Sequence, residues 1–164
     1  MTVEIRRVQE PFDPDLWEEL IEKNLGPSIS TKHIRRREAD DYSLTAERIR
    51  LGAFDGERLV GASYGQAESP SRFHMHVSFV EPDYRGQGIY GRLLDHMLEA
   101  TAAYDEVDSN HHLLNNTIIA LKLRRGFHIV GFDQTIFVGP RVTLRYFHNA
   151  ELLALMKQRM GWPR

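Results

Sequence analysis

The sequence predicts one mixed α/β domain, of α+β character, spanning residues 1–164. Three observations predict it. A length of 164 residues suits a single core. Two alternating runs, Ile49-Leu51-Ala53 and Leu59-Val60-Gly61-Ala62, flank Asp55-Gly56 and read as a β-hairpin. A second alternating run, Arg72 to Val80, leads through a glycine-rich turn into an apolar stripe at helical spacing, Ile89, Leu93, Leu94, Met97 and Leu98.

Taken in order, Thr2 to Val8 alternates and ends at Pro11, which predicts a first strand. Asp13 before Pro14 is an N-cap signal, and Leu16, Trp17, Leu20 and Ile21 continue a helix to Gly26-Pro27. Ser28 to Ser43 is polar, carries Arg35-Arg36-Arg37, and gives only a short helix or an ordered loop. After the hairpin, the strand Arg72–Val80 should put His74, His76, Ser78 and Val80 on one face and Phe73, Met75, Val77 and Phe79 on the other. Val107 marks a short polar strand, and Asn115 or Asn116 can cap a helix through Leu123 that Gly126 ends. Phe127 to Val138 is a strand pair or one long bent strand, and Arg141 to Phe147 a last strand. Asn149 then caps a helix whose Leu152, Leu153, Met156 and Met160 share a side. That apolar side either closes the core, the reading favoured here, or pairs two copies as a homodimer.

Composition narrows the function classes. The net charge is -2, from 21 basic and 23 acidic residues, so no global positive field draws in nucleic acid. With no cysteine there is no disulfide framework, thiolate metal site or Cys nucleophile, which fits a cytoplasmic protein. No apolar run reaches the roughly 18 residues of a membrane span, and the N-terminus lacks a secretory apolar core. No metal is expected, because His111 and His112, adjacent on a strand, diverge to opposite faces.

The chemistry concentrates in Val80-Glu81-Pro82-Asp83-Tyr84-Arg85-Gly86-Gln87-Gly88-Ile89-Tyr90-Gly91. Glycines let backbone approach a ligand, the following helix points unpaired N–H groups and its positive end there, and Arg85 adds a phosphate-matching fork. A diphosphate suits this turn. Gly86 to Gly91 also spells G-x-G-x-x-G, with Asp105, Glu106 and Asp108 about 20 residues on, as in a dinucleotide-binding unit. Four residues, Glu81 to Tyr84, separate strand from turn, however, and the chain beyond is short for a second nucleotide half.

The segment from Val80 to Gly88 resembles the GNAT superfamily of acetyltransferases, whose signature is Arg or Gln, two residues, Gly, one residue, then Gly or Ala. Asn115 and Gly126-Phe127 match a second motif of that family, Asn followed eleven residues later by Gly-Phe. The resemblance implies a central mixed, mostly antiparallel twisted sheet of about six to seven strands flanked by helices. It implies an N-acetyltransferase using acetyl-CoA as donor cosubstrate and a primary amine of a small molecule or protein as acceptor, attacked directly in a ternary complex. By the same resemblance Phe79 and Val80 offer backbone groups to the pantetheine arm, and Asn115 contacts it. Arg85, Gly86, Gln87, Gly88, Ile89, Tyr90 and Gly91 hold the pyrophosphate. The sequence departs from the family at Tyr90, where the signature has Gly or Ala, and at Lys122, where many members carry a Tyr acting as general acid. The second departure leaves open a non-catalytic acyl-CoA-binding or regulatory module.

An attacking amine must first lose a proton, and histidine accepts one at neutral pH. The resemblance points to His74, eleven residues before Arg85, where histone-acetylating members place a glutamate base; His76 lies one pleat nearer the turn. Both could instead be sheet histidines satisfied by hydrogen bonds. Glu68 and Glu81, near the ends of neighbouring strands, could instead act through water, with surface charge as the alternative for both, and Glu81 is the reserve base. Arg35-Arg36-Arg37 is a solvated face or borders an anionic acceptor.

Overall fold

A computed structural model describes residues 2–9, 19–20, 22–24, 46–135 and 139–161. Most of the predicted first helix, including Leu16, Trp17 and Ile21, and the segment carrying Arg35-Arg36-Arg37, lie outside the described residues. Residues 19–20 and 22–24 are helical, as expected.

Seven strands form one sheet: β1 (Glu4–Arg7), β2 (Arg48–Asp55), β3 (Arg58–Ser69), β4 (Arg72–Val80), β5 (Glu106–His112), β6 (His128–Thr135) and β7 (Gly139–Phe147). Their spatial order is β1-β2-β3-β4-β5-β7-β6, antiparallel throughout except for β4 beside β5. The expected mixed, mostly antiparallel sheet is therefore present. Among the described residues, besides the helical residues 19–20 and 22–24, three helices accompany it: α1 (Ile89–Ala100), α2 (Asn116–Arg124) and α3 (Ala150–Arg159). The parallel pair needs a crossover, and α1 provides it.

Gly56, at φ 62°, forms the turn between β2 and β3, a backbone state that costs glycine little. The core lies between the sheet and α1. Phe73, Ile89, Leu93, Leu94, Met97 and Val107 are essentially sealed from water, each worth roughly 1.5–3 kcal/mol for the larger side chains. Asn149 caps α3 as expected, its Oδ1 accepting from the N–H groups of Glu151 and Leu152 at 3.0 and 3.4 Å.

Two expectations need correction. The alternation along β4 is not continuous. Tyr64 pairs with Val77 but Gly65 with Met75, so His76 is an extra residue, a β-bulge. Phe73, Met75 and Val80 consequently join the main core, whereas Val77 and Phe79 pack with Ala62, Tyr64 and Leu20 on the opposite face. His74 and His76 do not share a face with Val80.

The C-terminal helix, secondly, does not close the core. No α3 residue is buried, Leu155 and Met160 stay 42% and 57% exposed, and a cavity of about 300 Å³ remains where Leu152, Leu155 and Met156 approach Val130 and Phe147. Its apolar residues lie against strands β6 and β7 at the sheet edge, where packing is loose.

Candidate active site

The site begins where two strands part. β4 pairs with β5 only from Arg72↔Glu106 to His74↔Asp108. β4 then stays with β3 up to Val80↔Gly61, while β5 stays with β7 as far as His112↔Arg141. Each strand follows its other partner, and the bulge at His76 adds bend and twist at the point of divergence. A fork opens in the sheet. Beyond His74↔Asp108 the β4–β5 ladder ends, and a gap of this kind beside a strand is where an extended ligand with amides of its own can lie.

The glycine turn lies at the mouth of the fork. Pro82–Tyr84 form one 3₁₀ turn, Gly86 and Gly88 adopt φ values of 77° and 75°, and Gly88 is the N-cap of α1. A Cβ at either glycine would meet open space, so the requirement for glycine there is conformational. The first intrahelical bond runs from Arg92 N–H to the Gly88 carbonyl at 3.1 Å, which leaves the preceding N–H groups of Ile89, Tyr90 and Gly91 directed at an incoming anion. Arg85 Nε donates to the Val80 carbonyl at 3.0 Å, fixing the guanidinium beside these amides. Gly91 serves packing: a Cβ there would run into the Arg125 guanidinium, 2.5 Å away, which pairs with Asp95.

Tyr90 turns away from the anion site. It packs against the main core and bonds to Ser78, and desolvation raises its phenol far above the usual range. The bulky residue at this signature position thus leaves the turn open. Asn115 sits at the N-cap position of α2, yet its side chain makes no capping bond, so its amide stays available to a ligand.

His74 is held firmly. Its Nδ1 lies 2.5 Å from Asp108 Oδ1, and Asp108, 4% exposed, also accepts from Arg145 Nη2 at 3.0 Å. Burial alone would raise the Asp108 carboxyl, but the His74 and Arg145 bonds outweigh it and keep the group ionised. An Nδ1–H donated to Asp108 leaves His74 Nε2 as the proton-accepting nitrogen. His76 meets His74 edge-on at 4.8 Å and stacks on Tyr64 at 5.5 Å. Desolvation, then the neighbouring His74, lowers His76 to about 4, although the ring is exposed and water moderates that shift.

Glu81 behaves differently from an available base. Its carboxylate, 5% exposed, accepts from Lys23 Nζ at 3.0 Å and Arg58 Nη2 at 2.6 Å. Lys23 first, then Arg58, hold it below the usual carboxylate range. It is an anchor of the mouth.

On the helix side of the fork lies Lys122, 1% exposed, with Nζ donating to Ser109 Oγ at 2.6 Å and 3.7 Å from Met75 Sδ. Ser109 Oγ is also 3.1 Å from His111 Nε2. Among the described residues one trio, Glu68, His74 and Asp108, brings potential metal-ligating atoms within 4.8 Å of one another. Arg145 already occupies Asp108 and Arg72 pairs with Glu68 at 3.2 Å, so the cluster is balanced by cations. No helix among the described residues is long and apolar enough to cross a membrane.

The fold thus gathers His74, His76, Phe79, Val80 and the Arg85–Gly91 turn along one strand and its exit. It adds Asp108, Arg145, Ser109 and His111, which sequence reasoning did not place there. The dinucleotide-binding reading fails, because the turn opens from an antiparallel-rich sheet with a single parallel pair, not from a doubly wound parallel one.

A profile of the acetyltransferase (GNAT) family matches residues 13–127. No curated protein is similar enough in sequence to count as a relative. Solved structures share the fold. An IAA acetyltransferase from Bacillus cereus has 18% identity and a TM-score of 0.69, covering 89% of this chain and 99% of its own. A GNAT family acetyltransferase from Elizabethkingia anophelis with acetyl-CoA bound has 17% identity and a TM-score of 0.67, covering 88% and 97%. An acetyltransferase from Bacillus subtilis in complex with CoA has 17% identity and a TM-score of 0.66, covering 89% and 99%.

Proposed function

This chain belongs to the GNAT acetyltransferase family, and from that premise we propose that it transfers an acetyl group from acetyl-CoA to a primary amine by direct attack. The observation carrying this reading is the fork between β4 and β5 with the glycine turn at its mouth. The turn amides and Arg85 suit the pyrophosphate, the gap between the diverging strands beside Met75 to Val80 suits an extended pantetheine arm, and the Asn115 side chain, which makes no capping bond, is a candidate contact for that arm. The thioester then lies towards the closed end, near His74 and the bulge.

His74 Nε2 takes a proton from the substrate ammonium to give the neutral amine that attacks, with Asp108 fixing the ring's tautomer and orientation and stabilising the imidazolium that results. His76, lowered to about 4, remains a neutral neighbour and the second candidate for the base. The acceptor is an amine of a small molecule or of a protein, and a cytoplasmic location agrees with the absence of cysteine.

A thiol-release assay with acetyl-CoA against pooled amines, amino acids, aminoglycosides, polyamines and peptides tests the reaction. Release above the hydrolytic background is expected with at least one pool, and His74→Ala should lose the acid limb of its pH–rate profile. A second reading, an acyl-CoA-binding module without catalysis, is favoured by Lys122 standing in place of a phenol. Tight coenzyme binding with no thiol release from any pool supports that alternative.

A further inference from the structure

Lys122 is a buried amine that no carboxylate among the described residues pairs with directly. The neighbours of Nζ are Ser109 Oγ, Met75 Sδ and the Phe127 ring, 4.8 Å away. An unpaired buried charge is costly, and its retention asks for a reason. Position supplies one. Met75 and Ser109 are each the first residue beyond the last β4–β5 pair, His74↔Asp108, so Nζ bridges the two strands at the closed end of the fork. Ser109 Oγ accepts from the lysine and sits beside His111 Nε2, so its own hydrogen is free to pass onward.

We propose that Lys122, acting through Ser109, is the proton source for the coenzyme thiolate that leaves the fork. The inference rests on the acetyl-CoA reading. In the step, the amine nitrogen forms the new bond to the acetyl carbon, the carbon–sulfur bond breaks, and its electron pair stays on sulfur. The hydroxyl proton of Ser109 passes to sulfur while Lys122 Nζ replaces it, leaving a neutral lysine. His74, having passed the activating proton to solvent, takes the surplus proton of the acylated nitrogen, and a proton from solvent restores the Lys122 ammonium for the next turnover.

The electrostatics agree. Desolvation lowers Lys122 to about 7, only partly offset by Asp108, so it can both give and regain a proton near neutrality. The titratable and charged groups facing this end are His74 and His76 from β4, Asp108 and His111 from β5, and Arg145 from β7 on Asp108. Burial, then Lys122 and His74, lowers His111 to about 3, so His111 stays neutral and its Nε2–H tautomer can donate to Ser109 Oγ, leaving the serine hydrogen free.

The test titrates enzyme-bound coenzyme A by the ultraviolet absorbance of its thiolate, beside calorimetric binding of the same ligand. In the wild type the bound thiol should ionise at least about tenfold more readily than in Lys122→Met, because the neutral lysine can take the thiol proton through Ser109 and the ammonium so formed favours thiolate. Ser109→Ala should fall between them, and Lys122→Arg should keep the thiolate but not the proton transfer. Coenzyme affinity should change less than about threefold in Lys122→Met, since pyrophosphate contacts dominate it. Identical thiol titrations in wild type, Lys122→Met and Ser109→Ala, with binding intact, overturn the proposal. Failure of the wild type itself to bind coenzyme A overturns the acetyl-CoA reading and this inference with it.

Discussion

Glu81 at the mouth of the fork and Lys122 at its closed end are both buried ionisable side chains, at 5% and 1% exposure, and they meet burial in opposite ways. Glu81 has a cation on each carboxylate oxygen and is held ionised. Lys122 has a hydroxyl, a thioether and an aromatic face, and is pushed towards neutrality. The paired charge anchors structure: it ties residues 22–24 and the start of β3 to the end of β4. The unpaired charge is poised to exchange a proton. Compensation, more than burial, separates a structural ion from a reactive one in this chain.

The sharpest break of this contrast is Lys122→Met. Because the folded group sits at about 7 against an ordinary 10.5, the unfolded chain binds more protons between those values. Its penalty is therefore complete below pH 7 and fades as pH rises towards 10.5. Lys122→Met should stabilise the protein by roughly 4–5 kcal/mol at pH 6, with little gain near pH 10.5, in urea titrations across pH. A loss of stability at every pH would mean that the charge is compensated after all.

His111 extends the test to the acid side. With its folded value at about 3 and an unfolded value of 6.5, its contribution is present above pH 6.5 and lost as pH falls towards 3. About 2 kcal/mol of stability should disappear between pH 6.5 and pH 5 and be retained in His111→Asn. Equal acid sensitivity in both proteins would remove His111 from the uncompensated set.

The smallest effect belongs to the paired ion. Glu81→Gln should cost about 1–2 kcal/mol at pH 7, because the Lys23 and Arg58 side chains it abandons, 58% and 59% exposed, can turn to water. The loss should shrink as pH falls from the usual carboxylate range through the lowered native value of Glu81, below which the native side chain is itself protonated. A cost above that of most core truncations would show that the mouth depends on this pair far more than its exposed cations suggest.

Local chemistry explains what was legible in the sequence. The Asp55-Gly56 turn, the Asn149 cap, the Gly86–Gly91 turn and the stripe of α1 depend on residues close together along the chain, and each is found where the pattern placed it. The bulge at His76 was not legible, since the run Arg72 to Val80 alternates regularly and a bulge is a property of pairing with β3. Asp108 as the partner of His74 was equally hidden, 34 positions away across the one parallel pair. Lys122 reads as an ordinary surface residue of a helix; only its motif position, where a phenol was expected, marked it, and the fork gives that position its meaning.

The central claim is that the fork and its glycine turn receive acetyl-CoA. Hydrogen–deuterium exchange with and without acetyl-CoA tests it directly, since a ligand that pairs with open backbone groups slows their exchange. Slower exchange in residues 75–80 and 86–91, with NAD producing none, is the predicted result. Unchanged exchange in both stretches at saturating acetyl-CoA, or protection confined to other parts of the sheet, would contradict the account.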